Sequence, residues 1–125
     1  MPKVSRESAE HVDDRGPAED RHQDIDGYTV NFVSLREDVD LAPALKGLPD
    51  NRCQCPHWGY VFKGRLTLTF PGHEEVFEAG DAFYVPPGHA PRVEAGSEFV
   101  QFSPTEQLQE VQAAIMRNME QMQGG

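Results

Sequence analysis

The chain has 125 residues, of which 21 are acidic and 11 basic, and a formal net charge of −10. This length suits one domain with one hydrophobic core. An acidic surface repels nucleic-acid phosphates and anionic lipid headgroups, so we expect neither a nucleic-acid partner nor a membrane partner. No apolar run is long enough to span a bilayer, and none follows Met1 as in a signal peptide, which predicts a cytoplasmic protein.

The first 24 residues contain few apolar side chains at either a helical or a strand period. Segments of this composition rarely bury enough apolar surface to order by themselves. We therefore predict a flexible acidic arm for residues 1–24, either disordered or loosely docked. His11 and His22 lie in this arm and are interpreted as solvated side chains.

Residues 25–103 consist of short segments with strand character, separated by turns rich in Gly and Pro. Tyr28–Leu35 is rich in β-branched and aromatic residues, and Arg65–Phe70 alternates apolar and polar side chains. Strands spaced by roughly eight to twelve residues are typical of all-β sandwiches and barrels. We therefore predict an all-β domain over residues 25–103, with a short helical turn at residues 41–47.

Residues 104–123 have the features of an α-helix. Ser103 is a suitable N-cap, Pro104 suits the first helical position, and Glu106 completes a capping box. Apolar side chains then follow at spacings of three or four residues and form one stripe, namely Leu108, Val111, Ile115, Met119 and Met122. The stripe is expected to cover either the barrel or a second subunit.

The strongest chemical signal is the stretch Cys53-Gln54-Cys55-Pro56-His57, which contains both cysteines and one of the five histidines. In an extended strand, side chains at period two share a face, so Cys53, Cys55 and His57 would point the same way. In a reducing cytosol, closely spaced cysteines favour metal or redox chemistry over a structural disulfide. The stretch therefore predicts a metal site.

Two segments resemble the cupin superfamily of small jelly-roll barrels. Residues 80–89, Gly-Asp-Ala-Phe-Tyr-Val-Pro-Pro-Gly-His, resemble the start of the family's second motif, a Gly followed after five residues by Pro-x-Gly. Residues 60–66, Tyr-Val-Phe-Lys-Gly-Arg-Leu, are similar to the end of the first motif. The resemblance covers roughly residues 50–103. It implies a cupin-type double-stranded β-helix, or jelly-roll barrel, and a homodimer.

The residues at the expected ligand positions differ from the usual cupin set. Cupins hold a metal with two histidines and a glutamate from the first motif and a histidine from the second. In this chain Asn51, Cys53 and His57 fall at the first-motif positions, and Pro91 falls at the second-motif position. His89 lies two residues earlier, where strand alternation would let it face the same interior. The resemblance thus implies a cysteine-containing variant of the site.

The predicted metal ligands are Cys53, Cys55, His57 and His89. Two thiolates and two imidazoles favour a tetrahedral ion, which makes Zn²⁺ the predicted metal and Fe²⁺ or Ni²⁺ the alternatives. A competing interpretation is a barrel that has lost its metal. Both cysteines would then be small buried residues and His57 a hydrogen-bonded core residue.

The resemblance implies a small metalloenzyme acting on a small organic molecule inside the barrel, of lyase, isomerase or dioxygenase type. The alternative is a non-catalytic binding or sensor module with a structural or redox-sensing Cys/His zinc site. A closed four-ligand site would indicate structural zinc, and an open position would indicate an enzyme. Tyr60, Tyr84 and Arg92 are weaker candidates for orienting a substrate or acting as acid or base at the barrel mouth.

Overall fold

The computed structural model describes residues 3–14 and 16–124, with side chains described as far as residue 120. The strands within this part of the chain are β1 (His11–Asp14), β2 (Ala18–Ile25), β3 (Tyr28–Leu35), β4 (Val39–Asp40), β5 (His57–Lys63), β6 (Arg65–Phe70), β7 (His73–Glu78), β8 (Ala82–Val85), β9 (Ala90–Val93) and β10 (Glu98–Pro104). One α-helix, α1 (Thr105–Gly124), follows, and two short 3₁₀ turns (Ala42–Leu45 and Pro49–Asn51) precede β5.

The strands form two antiparallel sheets that enclose one main core. The larger sheet has the order β1-β2-β3-β10-β5-β8, and the smaller has the order β4-β9-β6-β7. Alternating side chains of both sheets pack between them. The core cluster contains Leu35, Val61, Leu66, Leu68, Phe70, Phe83, Val85, Val93 and Phe99. The predicted all-β jelly-roll barrel with a C-terminal helix is confirmed.

The N-terminal segment corrects the prediction of a flexible arm. All eight residues of β2 pair with β3, from Ala18 opposite Leu35 to Ile25 opposite Tyr28, and β1 pairs with β2. The backbone hydrogen bonds of the sheet do not depend on apolar side chains. Ion pairs, such as the one between Arg36 and Asp14 at 2.7 Å, supplement them. Polar strands such as β1 and β2, added at the edge of a sheet, therefore give little signal in the hydropathy of the sequence.

The helix starts later than its capping pattern predicts. Ser103 is not the N-cap, because β10 continues through Pro104 and α1 begins at Thr105. Ser103 is fully buried and belongs to the site described below. Its use there overrides the local capping signal.

The apolar stripe of α1 covers one end of the barrel. Leu108 and Val111 are buried in a second cluster with Leu45, Cys53, Cys55 and Ala90, and Ile115 packs against it. Met119 is half-buried, and Met122 lies beyond the described side chains. No helix in the described ranges is long and apolar enough to cross a membrane. The cytoplasmic location stays a prediction.

Asn118 fixes the helix to the loop before β5. Its Nδ2 donates hydrogen bonds to the carbonyl oxygens of Ala44 at 2.6 Å and Lys46 at 2.8 Å, and the side chain is buried. These bonds hold α1 over the 3₁₀ turn that carries Leu45. The hydrogen bonds of Asn118 thus supplement the packing of the apolar stripe in holding α1 over the barrel end.

Replacing Asn118 with Leu should loosen this closure. The change leaves two carbonyl oxygens without their donor, so we expect the free energy of unfolding to fall by about 1–3 kcal/mol. Denaturant unfolding measures the loss, and hydrogen exchange should increase first in α1 and residues 42–46. Gln109→Ala, at an exposed position of the same helix, serves as the control. Equal stability of the two variants would refute the anchoring role.

Candidate metal centre

Three ligand-type side chains meet at one end of the barrel. Cys53 lies in the loop before β5, His57 is the first residue of β5, and His89 directly precedes β9. Their ligand atoms all lie within 4.8 Å of one another, and all three side chains are buried. Cys53 Sγ is 3.7 Å from His57 Nε2. Within the described residues, this is the one group of three or more such side chains with metal-binding spacing.

Backbone pairing brings the two separate chain segments together. Cys53 and His89 form an isolated antiparallel bridge, in which the Cys53 N–H donates to the His89 carbonyl at 2.8 Å. The Gly88 N–H donates to the Cys53 carbonyl at 2.8 Å. The positions of the thiol and of the second imidazole are therefore linked through the main chain.

Both imidazoles are oriented by hydrogen bonds at Nδ1. His89 Nδ1 lies 2.8 Å from the Pro86 carbonyl, which can only accept, so Nδ1 carries the proton and Nε2 a free lone pair. His57 Nδ1 lies 2.7 Å from Ser103 Oγ. Metal-binding histidines are typically held this way at the nitrogen away from the metal. His89 Nε2 is buried and has no hydrogen-bond partner among the described residues.

Burial disfavours the charged forms of these three side chains. It raises the pKa of the Cys53 thiol to about 11, against a smaller lowering by a backbone hydrogen bond at Cys55. Burial, with the neighbouring His89, lowers the pKa of His57 to about 3. The pKa of His89 is also lowered by burial, although its bond to Pro86 opposes the shift. At neutral pH the site therefore has two neutral imidazoles and one protonated thiol.

Cys55 is the predicted ligand that the structure does not bring into this group. The segment before His57 is not part of β5, so the strand alternation expected for residues 53–57 does not apply. The Cys55 thiol lies 3.5 Å from the Pro56 carbonyl and interacts with the Ser103 hydroxyl. Burial raises the pKa of this thiol to about 12. Its position is that of a packed residue beside the site.

The chemistry and spacing of the three side chains fit a transition metal. For Zn–S of about 2.3 Å and Zn–N of about 2.0 Å, a tetrahedral site places sulfur and nitrogen about 3.5 Å apart. The 3.7 Å between Cys53 Sγ and His57 Nε2 is close to this value. Packing alone accounts for a buried cysteine, but it does not account for the unpartnered Nε2 of His89.

The group lies at the wall of a cavity of about 230 Å³. Most of the lining is apolar and comes from both sheets and α1. Its polar side chains include Asp20, Asn31 and Gln101, in addition to the group formed by Cys53, His57 and His89. A mostly apolar cavity with a few polar groups is typical of a small-molecule site.

The three weaker candidates lie away from this cavity. Tyr60 and Tyr84 are 41% and 49% exposed. Because His57 and Val61 face inwards, strand alternation places Tyr60 on the outer face of the larger sheet. Arg92 is exposed, and its guanidinium lies 3.9 Å from the Glu74 carboxylate. The expectation that these side chains line the barrel mouth is corrected.

Ser103 and Asp20 are among the site residues that sequence reasoning missed. Ser103 matched a helix cap, and Asp20 lay in the segment predicted to be flexible. Only strand pairing shows their place. Phe102 pairs with Trp58, so Ser103 falls beside His57. No local sequence signal carries this information.

Comparison with known proteins agrees with the fold. Residues 39–99 match the family model described as cupin domain. No curated protein sequence matches the chain.

Several solved structures have folds similar to that of this chain. A protein of unknown function from Rhizobium leguminosarum is 16% identical, with a TM-score of 0.59, and the match covers 82% of this chain and 94% of that one. The polyketide cyclase RemF from Streptomyces resistomycificus is 19% identical, with a TM-score of 0.59 and coverage of 83% and 79%. An RmlC-like cupin from Shewanella frigidimarina is 19% identical, with a TM-score of 0.54 and coverage of 81% and 88%.

At these identities the structures show a shared fold and nothing finer. The match to the family model includes the strand that carries His57 and the loop that carries His89. Together with the two-sheet architecture, the match over residues 39–99 identifies a cupin domain in this chain.

Proposed function

We propose that this cupin binds one divalent transition metal through Cys53, His57 and His89 and acts as a metalloenzyme on a small organic molecule in the cavity. The observation that carries the proposal is the buried, unpartnered Nε2 of His89 beside the other two ligand atoms. Zn²⁺ is the preferred ion for one thiolate and two imidazoles, with Fe²⁺ and Ni²⁺ as alternatives.

Three protein ligands support an enzyme more than a structural site. Structural zinc sites are closed by four protein ligands, whereas catalytic sites have three and one open position. When bound, the metal would polarise a carbonyl group or lower the pKa of a coordinated water, which suits lyase, isomerase or hydrolytic chemistry. Iron would instead favour dioxygenase chemistry.

The residues around the ligands prepare them for binding. The Pro86 carbonyl holds the proton of His89 at Nδ1 and leaves Nε2 available. Ser103 holds the His57 ring from the other side. Leu108 and Val111 of α1 pack against Cys53 and exclude water from the thiol. A redox sensor is disfavoured, because oxidation of cysteine proceeds through an accessible thiolate and burial raises the pKa of both thiols.

Elemental analysis of protein purified without added metal tests the ligand set. We expect about one equivalent per chain in the wild type, falling below about 0.2 in Cys53→Ser, His57→Ala and His89→Ala because each change removes a ligand atom. Cys55→Ser is the matched control and should retain about one equivalent. Loss of metal in Cys55→Ser to the same extent would indicate a closed four-ligand site, and retention in all four variants would refute the proposed centre.

The pH dependence of binding provides a second test. Since the pKa of the Cys53 thiol is raised to about 11 and that of His57 lowered to about 3, binding near neutrality should release one thiol proton and no imidazole proton. The apparent association constant for Zn²⁺ should rise about tenfold per pH unit from about pH 7 to 8.5, and fall as pH decreases. Competition with a chelator measures the slope. A slope of zero would show that the Cys53 thiolate is not a ligand, and a slope of two would indicate that Cys55 also binds as a thiolate.

We also propose a homodimer, formed through the outer face of the larger sheet and not through α1, whose stripe is already covered. Six aromatic side chains there are 41–49% exposed, namely Tyr28, Trp58, Tyr60, Phe62, Tyr84 and Phe102. They present roughly 500 Å² of apolar surface, since each side chain has about 150–250 Å². This is more than half of the about 800 Å² per partner of a stable interface. The six aromatic side chains carry no charge, which reduces the repulsion between two chains of net charge −10 at this patch.

Light scattering of the purified protein at micromolar concentration tests the dimer. The wild type should have twice the chain mass, and Trp58→Glu should be monomeric because it places a charge at the centre of the aromatic face. Met116→Glu, at an exposed position of α1, is the control and should remain dimeric. A monomeric wild type, or a dimer sensitive only to the helix variant, would refute this interface.

A further inference from the structure

The cavity has a second polar region on its wall, away from the three ligand side chains. Strand pairing aligns Asn31 of β3 with Gln101 of β10, and Gln101 with Gly59 of β5. His57 lies two residues before Gly59 on the same face of β5. Rows of inward-facing side chains are about 7 Å apart along a strand. Asn31 and His57 therefore occupy neighbouring rows of the same sheet face, separated by β10.

Asn31 lines the cavity and is 1% exposed. Its Nδ2 lies 3.0 Å and 3.1 Å from the two carboxylate oxygens of Asp20. An amide nitrogen only donates and both of these carboxyl oxygens accept, so this contact sets the orientation of the amide, with Nδ2 towards Asp20 and Oδ1 away from it. Asp20 of strand β2 thereby determines which polar atom of the Asn31 side chain has no hydrogen-bond partner among the described residues.

The other polar atom of this amide, Oδ1, is a hydrogen-bond acceptor for which the described residues provide no donor. Asn31 Oδ1 is buried and has no partner among the described residues. Leaving such a group unpaired costs about 1–3 kcal/mol, so buried polar atoms of this kind are rarely left unsatisfied in native proteins. Asn31 Oδ1 and His89 Nε2 are the two unpartnered buried side-chain atoms of the described residues, and both residues line this cavity.

The rest of the lining limits the chemistry of a ligand. Asp20 is the one Asp, Glu, Lys or Arg side chain in the lining among the described residues, so no lysine or arginine is present to pair with a carboxylate or phosphate. Phe83 and Phe99 contribute aromatic surface. The volume of about 230 Å³ exceeds the roughly 150 Å³ of an apolar cavity that accepts benzene.

We infer that Asn31, oriented by Asp20, is a ligand-recognition residue that accepts a hydrogen bond from the hydroxyl of an uncharged, largely apolar small molecule held in the cavity. This inference rests on the proposed function in that it names the class of molecule bound in the same cavity. It also adds a role for the N-terminal strands β1 and β2, because the Asp20 carboxyl group of β2 fixes the orientation of the Asn31 amide.

Phenol and toluene form a suitable pair of probes, because they have similar size and differ in the hydroxyl donor. Their affinities are measured by NMR titration with the protein as purified and again after removal of metal by a chelator, which excludes coordination of the phenol oxygen. Without an acceptor in the cavity, the more apolar toluene should bind more tightly. With Asn31 Oδ1 as acceptor, phenol should bind about five- to tenfold more tightly than toluene in both preparations.

Asn31→Leu should abolish or reverse this preference while toluene binds as before. Asp20→Asn keeps Asn31 in place but allows its amide to rotate, so the preference should fall by about half or more. This second variant decides the matter if Asn31→Leu does not fold. Gln112→Leu, at another polar position of the lining, is the control and should keep the preference.

Two results would overturn the inference: no preference for phenol in the wild type, or a preference unchanged in Asn31→Leu or, where that variant does not fold, in Asp20→Asn. Metal content is measured on the same samples and should stay at the wild-type level in all three variants. A phenol preference in a protein that binds no metal would refute the proposed metal centre and leave this inference standing. Bound metal without a phenol preference would support the proposed metal centre and refute this inference.

Discussion

The backbone bridge between Cys53 and His89 is the contact on which the site depends. It joins the loop before β5 to the loop before β9, which are 36 positions apart in the chain. Paired strands hold both loops, since β5 lies in the larger sheet and β9 in the smaller. The thiol and the His89 imidazole meet because the two sheets face each other. A change in sheet packing would therefore alter the spacing of the ligand atoms directly.

Burial determines the protonation states of the site and is also energetically unfavourable for its polar atoms. Two imidazoles and a thiol removed from water stay neutral, and the pKa of each is shifted in the direction that disfavours its charge. A lone pair at His89 Nε2 without a donor is unfavourable in such surroundings. A bound cation would satisfy that lone pair and stabilise the Cys53 thiolate together. The features that are unfavourable for these side chains by themselves are thus those that would favour a bound cation.

The sequence allowed the barrel, the C-terminal helix and the cluster of ligand-type residues to be predicted, because each has a local pattern. Alternation, capping residues and apolar spacing act over a few residues. The errors concern pairing at longer range. Polar β2 is ordered by its partner strand, Ser103 is drawn into β10, and Tyr60 faces outwards because His57 faces inwards. Cys55 lies outside the group, contrary to the prediction, because β5 begins at His57 and strand alternation does not extend to the residues before it.

The second cysteine nevertheless lies beside the hydroxyl that contacts the first imidazole. The Ser103 hydroxyl interacts with the Cys55 thiol and also lies 2.7 Å from His57 Nδ1. If its one proton is directed to the sulfur, its oxygen must accept from Nδ1–H, which leaves Nε2 of His57 with the lone pair next to Cys53. Pro86 has the same effect on His89. In the proposed metal centre, Cys55 would then act through Ser103 on the His57 ligand without itself binding the ion.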